Sequence, residues 1–297
     1  MKRDIFLSYH PAVNFLYFLA VIIMSMMFNH PLCLSISLFG AIFYAAYFAD
    51  RRSIVIGFFV SVPVIIVTAI LNPLFNHAGM TILAYFPSGN PLTLESILFG
   101  VASGVMLVCV IMWFISFNRV MTSDKLIYLF GRIIPTLSLV LSMTLRFVPR
   151  LVSKFREVAA AQKCLGRGIT HGNLVSRIRN FASLISIIIS WSLESAIDTA
   201  DSMRSRGYGL PSRSAFSIFN IERRDIFAIF FIIACLLYIM IGVCFKVFYY
   251  SYFPFIQSGP LDLYNISVFV AYFGLVLMPA ILNVREGLKW GSIKSKI

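Results

Sequence analysis

Charge is scarce in this chain: Asp, Glu, Lys and Arg make up 12% of its 297 residues, about half the share usual in a soluble domain. That shortage excludes an ordinary water-soluble globule. Acids are the scarcer sign, 12 against 25 Lys and Arg, for a formal net charge of +13. In a soluble protein such a surplus raises nucleic-acid binding. Here no basic stripe is interleaved with base-stacking aromatics outside the apolar runs, and no soluble nucleic-acid-binding motif is present. Cysteine is sparse and unpatterned: of Cys33, Cys109, Cys164, Cys235 and Cys244, four fall in apolar runs and none forms C-x-x-C. Neither a disulfide framework nor a zinc site is expected. His10, His30, His77 and His171 are scattered, so no metal cluster is expected either. There is no G-x-x-x-x-G-K-[ST] phosphate loop and no arguable nucleophile–base set. The sequence calls for no cofactor and reads as a non-enzyme.

What is abundant is apolar sequence, 59% of the chain with 29 Phe. Several runs exceed the roughly 18 residues that mark a membrane span. Six spans are expected, at about 11–28, 31–49, 54–71, 95–118, 226–248 and 263–284, separated by helix-stopping sequences such as Asn29-His30-Pro31 and Asn72-Pro73. The basic start, Met1-Lys2-Arg3, resembles a signal peptide, but the first run leads straight into another span and is read as a retained helix. With a cytoplasmic N-terminus, every Lys and Arg except Lys246 falls in an inside segment: 1–10, 50–53, 119–225 or 285–297. That is the asymmetry of the positive-inside rule. The expected fold is therefore an all-α polytopic membrane protein with both termini cytoplasmic, in the plasma membrane. Its expected divisions are transmembrane helices 1–4 over 1–118, a cytoplasmic region over 119–225, and helices 5–6 over 226–297.

The spans hold no Asp, Glu, Lys, Arg or His away from their ends. Carriers coupled to ions or protons usually need such groups near the midplane. Two shorter runs, 133–145 and 181–191, flank a strongly basic stretch, so crossing at both would expose eight Lys and Arg outside. They are read as parts of long cytoplasmic or interfacial helices. Pro135 opens the first, which runs to about Leu165; Gly166-Arg167-Gly168 closes it and His171-Gly172-Asn173 turns the chain. The second runs from about Leu174 to Ser205, closed by Arg206-Gly207-Tyr208-Gly209 and stopped by Pro211. Each ends in a small residue, then Arg, then Gly. A structural reading is available, since Arg near a helix C-terminus suits the dipole and Gly supplies the left-handed cap. Two matched endings point further, to cations held at rod ends for an acidic groove on a partner. Glu194, Asp198 and Asp201 share a face of the second helix; a solvated or internally salt-bridged face is the first reading, and a polar seam with Arg150, Lys154 or Arg156 is the specific alternative.

Several segments in order resemble one known family. They are Leu71-Asn-Pro-Leu-Phe-Asn-His-Ala-Gly79, Leu92-Thr-Leu-Glu-Ser96 with Gly100, and Thr122-Ser-Asp-Lys-Leu126. Leu145-Arg-Phe-Val-Pro149, Ala161-Gln-Lys163 and Ala200-Asp-Ser-Met-Arg-Ser-Arg-Gly-Tyr-Gly209 follow. Together they resemble the transmembrane coupling subunit, of EcfT or CbiQ type, of energy-coupling factor transporters, a class of ABC importer. The resemblance implies two cytoplasmic ABC ATPase subunits docked at small-Arg-Gly motifs, which match here at Gly166, Arg167, Gly168 and at Ser205, Arg206, Gly207. It also implies a membrane-embedded S component that captures a vitamin or a transition-metal ion such as cobalt and docks on the coupling helices. Met143 and Trp191 are members of the implied docking surface. One departure leaves the register of the first motif open: the family's Ala-Arg-Gly follows soon after Ala-Gln, whereas Cys164-Leu165-Gly166 intervenes here. The span at 263–284 has no role in this resemblance. The rival readings are a stand-alone permease or channel, which needs polar midplane residues, and an integral-membrane enzyme, which needs clustered His or acids at a membrane face.

Overall fold

The computed structural model describes residues 5–48, 51–85, 90–131, 134–168, 173–208, 219–260 and 262–294. The turn at His171-Gly172 and the stop at Gly209 and Pro211 lie outside them. The fold is all-α: α1 (Pro11–Met27), α2 (Pro31–Phe48), α3 (Arg51–Phe75), α4 (Leu94–Val120), α5 (Ser123–Gly131), α6 (Pro135–Cys164), α7 (Leu174–Ser205), α8 (Arg223–Cys244) and α9 (Leu263–Lys294). Two small antiparallel hairpins, β1 (Ile82–Tyr85) with β2 (Pro91–Thr93) and β3 (Tyr250–Ser251) with β4 (Gln257–Ser258), join helices. The chain forms two compact units, Met1–Lys125 with Phe219–Ile297, and Leu126–Ile218.

Among the described residues, five helical segments are long and apolar enough to cross a membrane: Gly57–Phe75, Leu94–Val120, Leu174–Ser205, Arg223–Cys244 and Leu263–Arg285. Pro11–Met27 and Pro31–Ala46 are apolar but shorter. The difference from the expected six is twofold. The first helix is held to 17 residues between Pro11 and the Asn29-His30-Pro31 turn, and α7 joins the long apolar helices because its charges cluster toward its ends, leaving an apolar middle.

In the first unit the core is aromatic. Phe6, Tyr17, Phe18 and Trp113 are fully buried, and Tyr17 meets Phe6 and Phe18 edge-on, at 5.3 and 5.2 Å between ring centres. Such edge-to-face pairs add to simple packing. Polar handles then fix the helices: Tyr17 Oη donates to the Val276 carbonyl at 2.8 Å, joining α1 to α9. Trp113 Nε1 donates to Ser37 Oγ at 3.1 Å, joining α4 to α2. Between apolar helices in lipid, close packing and such hydrogen bonds do the holding, since burial from water contributes little.

Two buried charges anchor the unit's loops. Lys125 Nζ donates to the Leu7 carbonyl at 2.7 Å and, with the Asn14 amide oriented to meet its neighbours, to that side-chain oxygen at 2.9 Å. Asp225, 1% exposed, accepts from Glu222 N at 2.9 Å in a capping box at the start of α8. Its other oxygen accepts from His10 N, the N-cap of α1, at 3.1 Å. Asp225→Ala orphans the buried His10 N–H and the part-buried Glu222 N–H. It is expected to cost about 2–3 kcal/mol, read as an earlier thermal unfolding transition of the detergent-solubilised protein.

The motif residues between α3 and α4 fold into one cap. Thr93, the N-cap of α4, accepts from Ser96 N at 3.4 Å, and its hydroxyl donates to the Ala78 carbonyl at 3.0 Å. The Ser96 hydroxyl reaches the Asn76 carbonyl at 2.6 Å, and the Glu95 carboxylate accepts from Thr81 N at 3.2 Å. Residues 71–79 and 92–96 are thus tied by their own side chains and backbone.

Candidate functional site

The second unit is built on α6 and α7, of 30 and 32 residues. Pro135 at the first helical position starts α6 with its fixed φ and missing N–H. On α7, Leu184 and Ile188 are buried and Trp191 continues their face at helical spacing. The Trp191 ring stacks on Phe147 of α6, with ring centres 6.0 Å apart and planes at 12°. Arg150 and Lys154, one turn apart on α6, lie over the same ring at 5.7 and 6.0 Å. Cation–π contacts of this kind contribute about 0.5–2 kcal/mol each. Trp191 is therefore committed to the α6–α7 clasp and offers little face to a docking partner, whereas Met143 is 37% exposed.

The expected carboxylate seam is not formed. Among the described residues, Glu194, Asp198 and Asp201 make no ion pair with α6; Lys154 pairs instead with Glu157 on its own helix at 3.0 Å. The reason lies in the clasp, which spends Arg150 and Lys154 on the indole. Asp198 lines a cleft of about 850 Å³ between the helices, together with Met143, Arg146, Arg150 and Arg206. Three guanidinium groups and one carboxylate leave this cleft with surplus positive charge.

The two helix ends close identically. Gly166 and Gly207 both take the left-handed conformation, with φ of 76° and 73°. At the first end, Gly166 N donates to the Lys163 carbonyl at 3.1 Å and Arg167 N to the Gln162 carbonyl at 2.9 Å. At the second, Gly207 N donates to Arg204 at 2.9 Å and Tyr208 N to Met203 at 3.0 Å. Each is a Schellman motif with glycine at the position just past the cap.

The caps pair the two ends by backbone position. The counterpart of Gly207 is Gly166, not Gly168. Gly168 is buried, and its carbonyl accepts from Asn180 Nδ2 of α7 at 3.3 Å. Arg206 is the capping residue of its helix, and the residue in that place on α6 is Leu165. Arg167 lies two positions further on, beyond the glycine, where Tyr208 stands at the other end. Ser205 corresponds to Cys164 rather than to Gly166. With two glycines flanking Arg167, only the backbone hydrogen bonds reveal which one caps the helix.

Among the described residues no group of His, Cys, Asp and Glu stands together as a metal site, and all five cysteines are unpaired. Lys125 and Asp225 were missed in the sequence. Lone charges just outside apolar runs read as solvated, and only the fold shows them buried.

Apolar helices of spanning length in one unit and a clasped helix pair with matched caps in the other define an all-α polytopic membrane protein. No family model matches the chain. Individual proteins do. It is 33% identical over 98 residues to the energy-coupling factor transporter transmembrane protein EcfT of Lactobacillus helveticus, covering 33% of this chain and 35% of that one. It is 35% identical over 72 residues to the protein of the same name from Staphylococcus aureus, covering 24% and 27%. With EcfT 1 of Listeria monocytogenes it shares 27% identity over 179 residues, covering 55% and 65%. The chain is related to the EcfT type of transmembrane protein, although the aligned stretch spans only 35% of the Lactobacillus helveticus relative's length.

Proposed function

We propose that this chain is the membrane-embedded coupling subunit of an energy-coupling factor importer. In this reading it hydrolyses nothing itself and carries movement from two cytoplasmic ABC ATPase subunits to an S component that brings in a vitamin or a transition-metal ion. The observation that carries the reading is the clasped pair α6 and α7, two long helices with the same cap at each C-terminus and arginines at or near both caps. A helix of thirty residues is about 45 Å long, and with Pro149 inside α6 interrupting its hydrogen-bond ladder, the clasp to α7 is what carries a push from the end to the middle. The Phe147–Trp191 stack makes the two rods move together. The names of the relatives support the same reading.

The ATPases dock at the two helix ends, around Gly166, Arg167 and Gly168 and around Ser205, Arg206 and Gly207. The S component rests on the exposed apolar middle, which includes Val140, Met143 and Leu193. The protein sits in the plasma membrane with both termini in the cytoplasm.

The test is affinity purification from the native host membrane. The expected preparation contains subunits with phosphate-binding loops, identified by mass spectrometry, and hydrolyses ATP. The chain stripped of those subunits does not. A pure chain with no ATPase partner in mild detergent would contradict the proposal.

A further inference from the structure

The two ends are the same in backbone but not in chemistry. At the cap position, where each helix axis ends and nothing of the helix lies beyond, α7 carries Arg206 and α6 carries Leu165. Leu165 is 72% exposed, and a Cβ added at the adjoining Gly166 would meet no atom within 4 Å. The end is open space, fit for a partner surface. In a Schellman turn the chain doubles back after the glycine, so the residue that follows lies alongside the last helical turn. Arg167 is in that returning position.

Resting on the docking proposal above, we infer that Leu165, rather than Arg167, is the residue by which the first helix end docks, and that it enters an apolar recess on its ATPase. The second end docks by charge, through Arg206 backed by Arg146 and Arg150 in one cleft. Two features favour an apolar recess at the first end. The first turns of α7, joined to this end through the Asn180–Gly168 hydrogen bond, present exposed Leu174, Val175 and Ile178. The basic groups here are Lys163 and Arg167, before and after the cap position, and Arg177 and Arg179, interleaved with those apolar residues on α7; they suit a polar rim around an apolar anchor. The two ends are thus not interchangeable, and their partner surfaces must differ.

The experiment measures the ATPase subunits retained by the tagged, full-length chain purified from native membranes. Leu165→Glu is expected to lower retention at least about ten-fold, since a carboxylate cannot enter an apolar recess. Leu165→Met should stay within about two-fold of wild type, because the volume is kept. Arg167→Glu should also stay within about two-fold, as rim charges do. Equal membrane levels of all variants exclude misfolding. Release by Arg167→Glu with retention by Leu165→Glu would overturn the inference while leaving the docking proposal standing. If Arg206→Glu and Leu165→Glu both retain the ATPases, the docking proposal itself fails and the inference with it.

Discussion

Replacing Arg206 with Glu is expected to strip the ATPase subunits from the second helix end while the chain itself remains folded in the membrane. Arg206 closes α7 and lines the same cleft as Arg146 and Arg150, with Asp198 as the one carboxylate among them. In the proposed complex this cleft receives acidic groups, and three guanidinium groups can hold carboxylates in forked pairs that lysine cannot reproduce. Reversing one charge removes a fork and supplies a rival carboxylate for Arg146 and Arg150. The expected loss is roughly 2–5 kcal/mol of binding, about thirty-fold or more in retained ATPase. Arg206→Lys keeps the charge but not the fork and should fall between. Raising the salt concentration should weaken the wild-type complex, as screening predicts for an exposed charged contact. Unchanged ATPase recovery from Arg206→Glu at low salt would remove the ionic role assigned to this end. Folding should be spared, because Arg206 is exposed and caps its helix through its backbone, not its side chain.

The rods of this site could be read from sequence because their boundaries are set by residues with strong backbone preferences. Pro135 suits the first position of a helix, and Gly166 and Gly207 take a conformation that other residues resist. The expected limits, about Leu165 and Ser205, fall within one residue of the observed ends. The chemistry at those ends was less legible. Gly166 and Gly168 satisfy the same local preference; the backbone hydrogen bonds make Gly166 the cap, and Gly168 instead accepts from the Asn180 amide, twelve residues away along the chain. The contacts of Trp191 were hidden for a related reason. An indole on an amphipathic helix suits a docking face and a helix–helix clasp equally, and the partners that decide, Phe147, Arg150 and Lys154, lie on the preceding helix. The small hairpin after α3 escaped notice because β1 and β2 are only four and three residues long, too short for alternation to show.

The glycines of the resemblance have a physical role that a second large effect would expose. On α4, Gly100 and Gly104 lie one turn apart and face α3. A Cβ added at Gly100 would come within 2.7 Å of the Thr68 carbonyl oxygen and 3.0 Å of Ala69 Cα. At Gly104 it would approach Thr68 Oγ1 to 2.3 Å and Ile65 Cα to 2.9 Å. Both glycines therefore admit the backbone of α3, in the small-xxx-small manner by which membrane helices approach closely. Gly104→Leu forces the helices apart along the stretch that leads into the Thr93, Glu95 and Ser96 cap. The expected cost is upward of about 3 kcal/mol, seen as a lower unfolding temperature in detergent and loss of monodisperse protein on size-exclusion chromatography. Gly104→Ala should cost less, and adding Thr68→Ala should return part of that loss, because it removes the oxygen nearest the new methyl group. The remaining deficit would report the Ile65 backbone, which no side-chain change can move. A Gly104→Leu variant as stable as wild type would mean that α3 and α4 do not meet at these glycines. If the loss is confirmed, Gly100 and Gly104 are what lets α3 and α4 pack backbone to backbone.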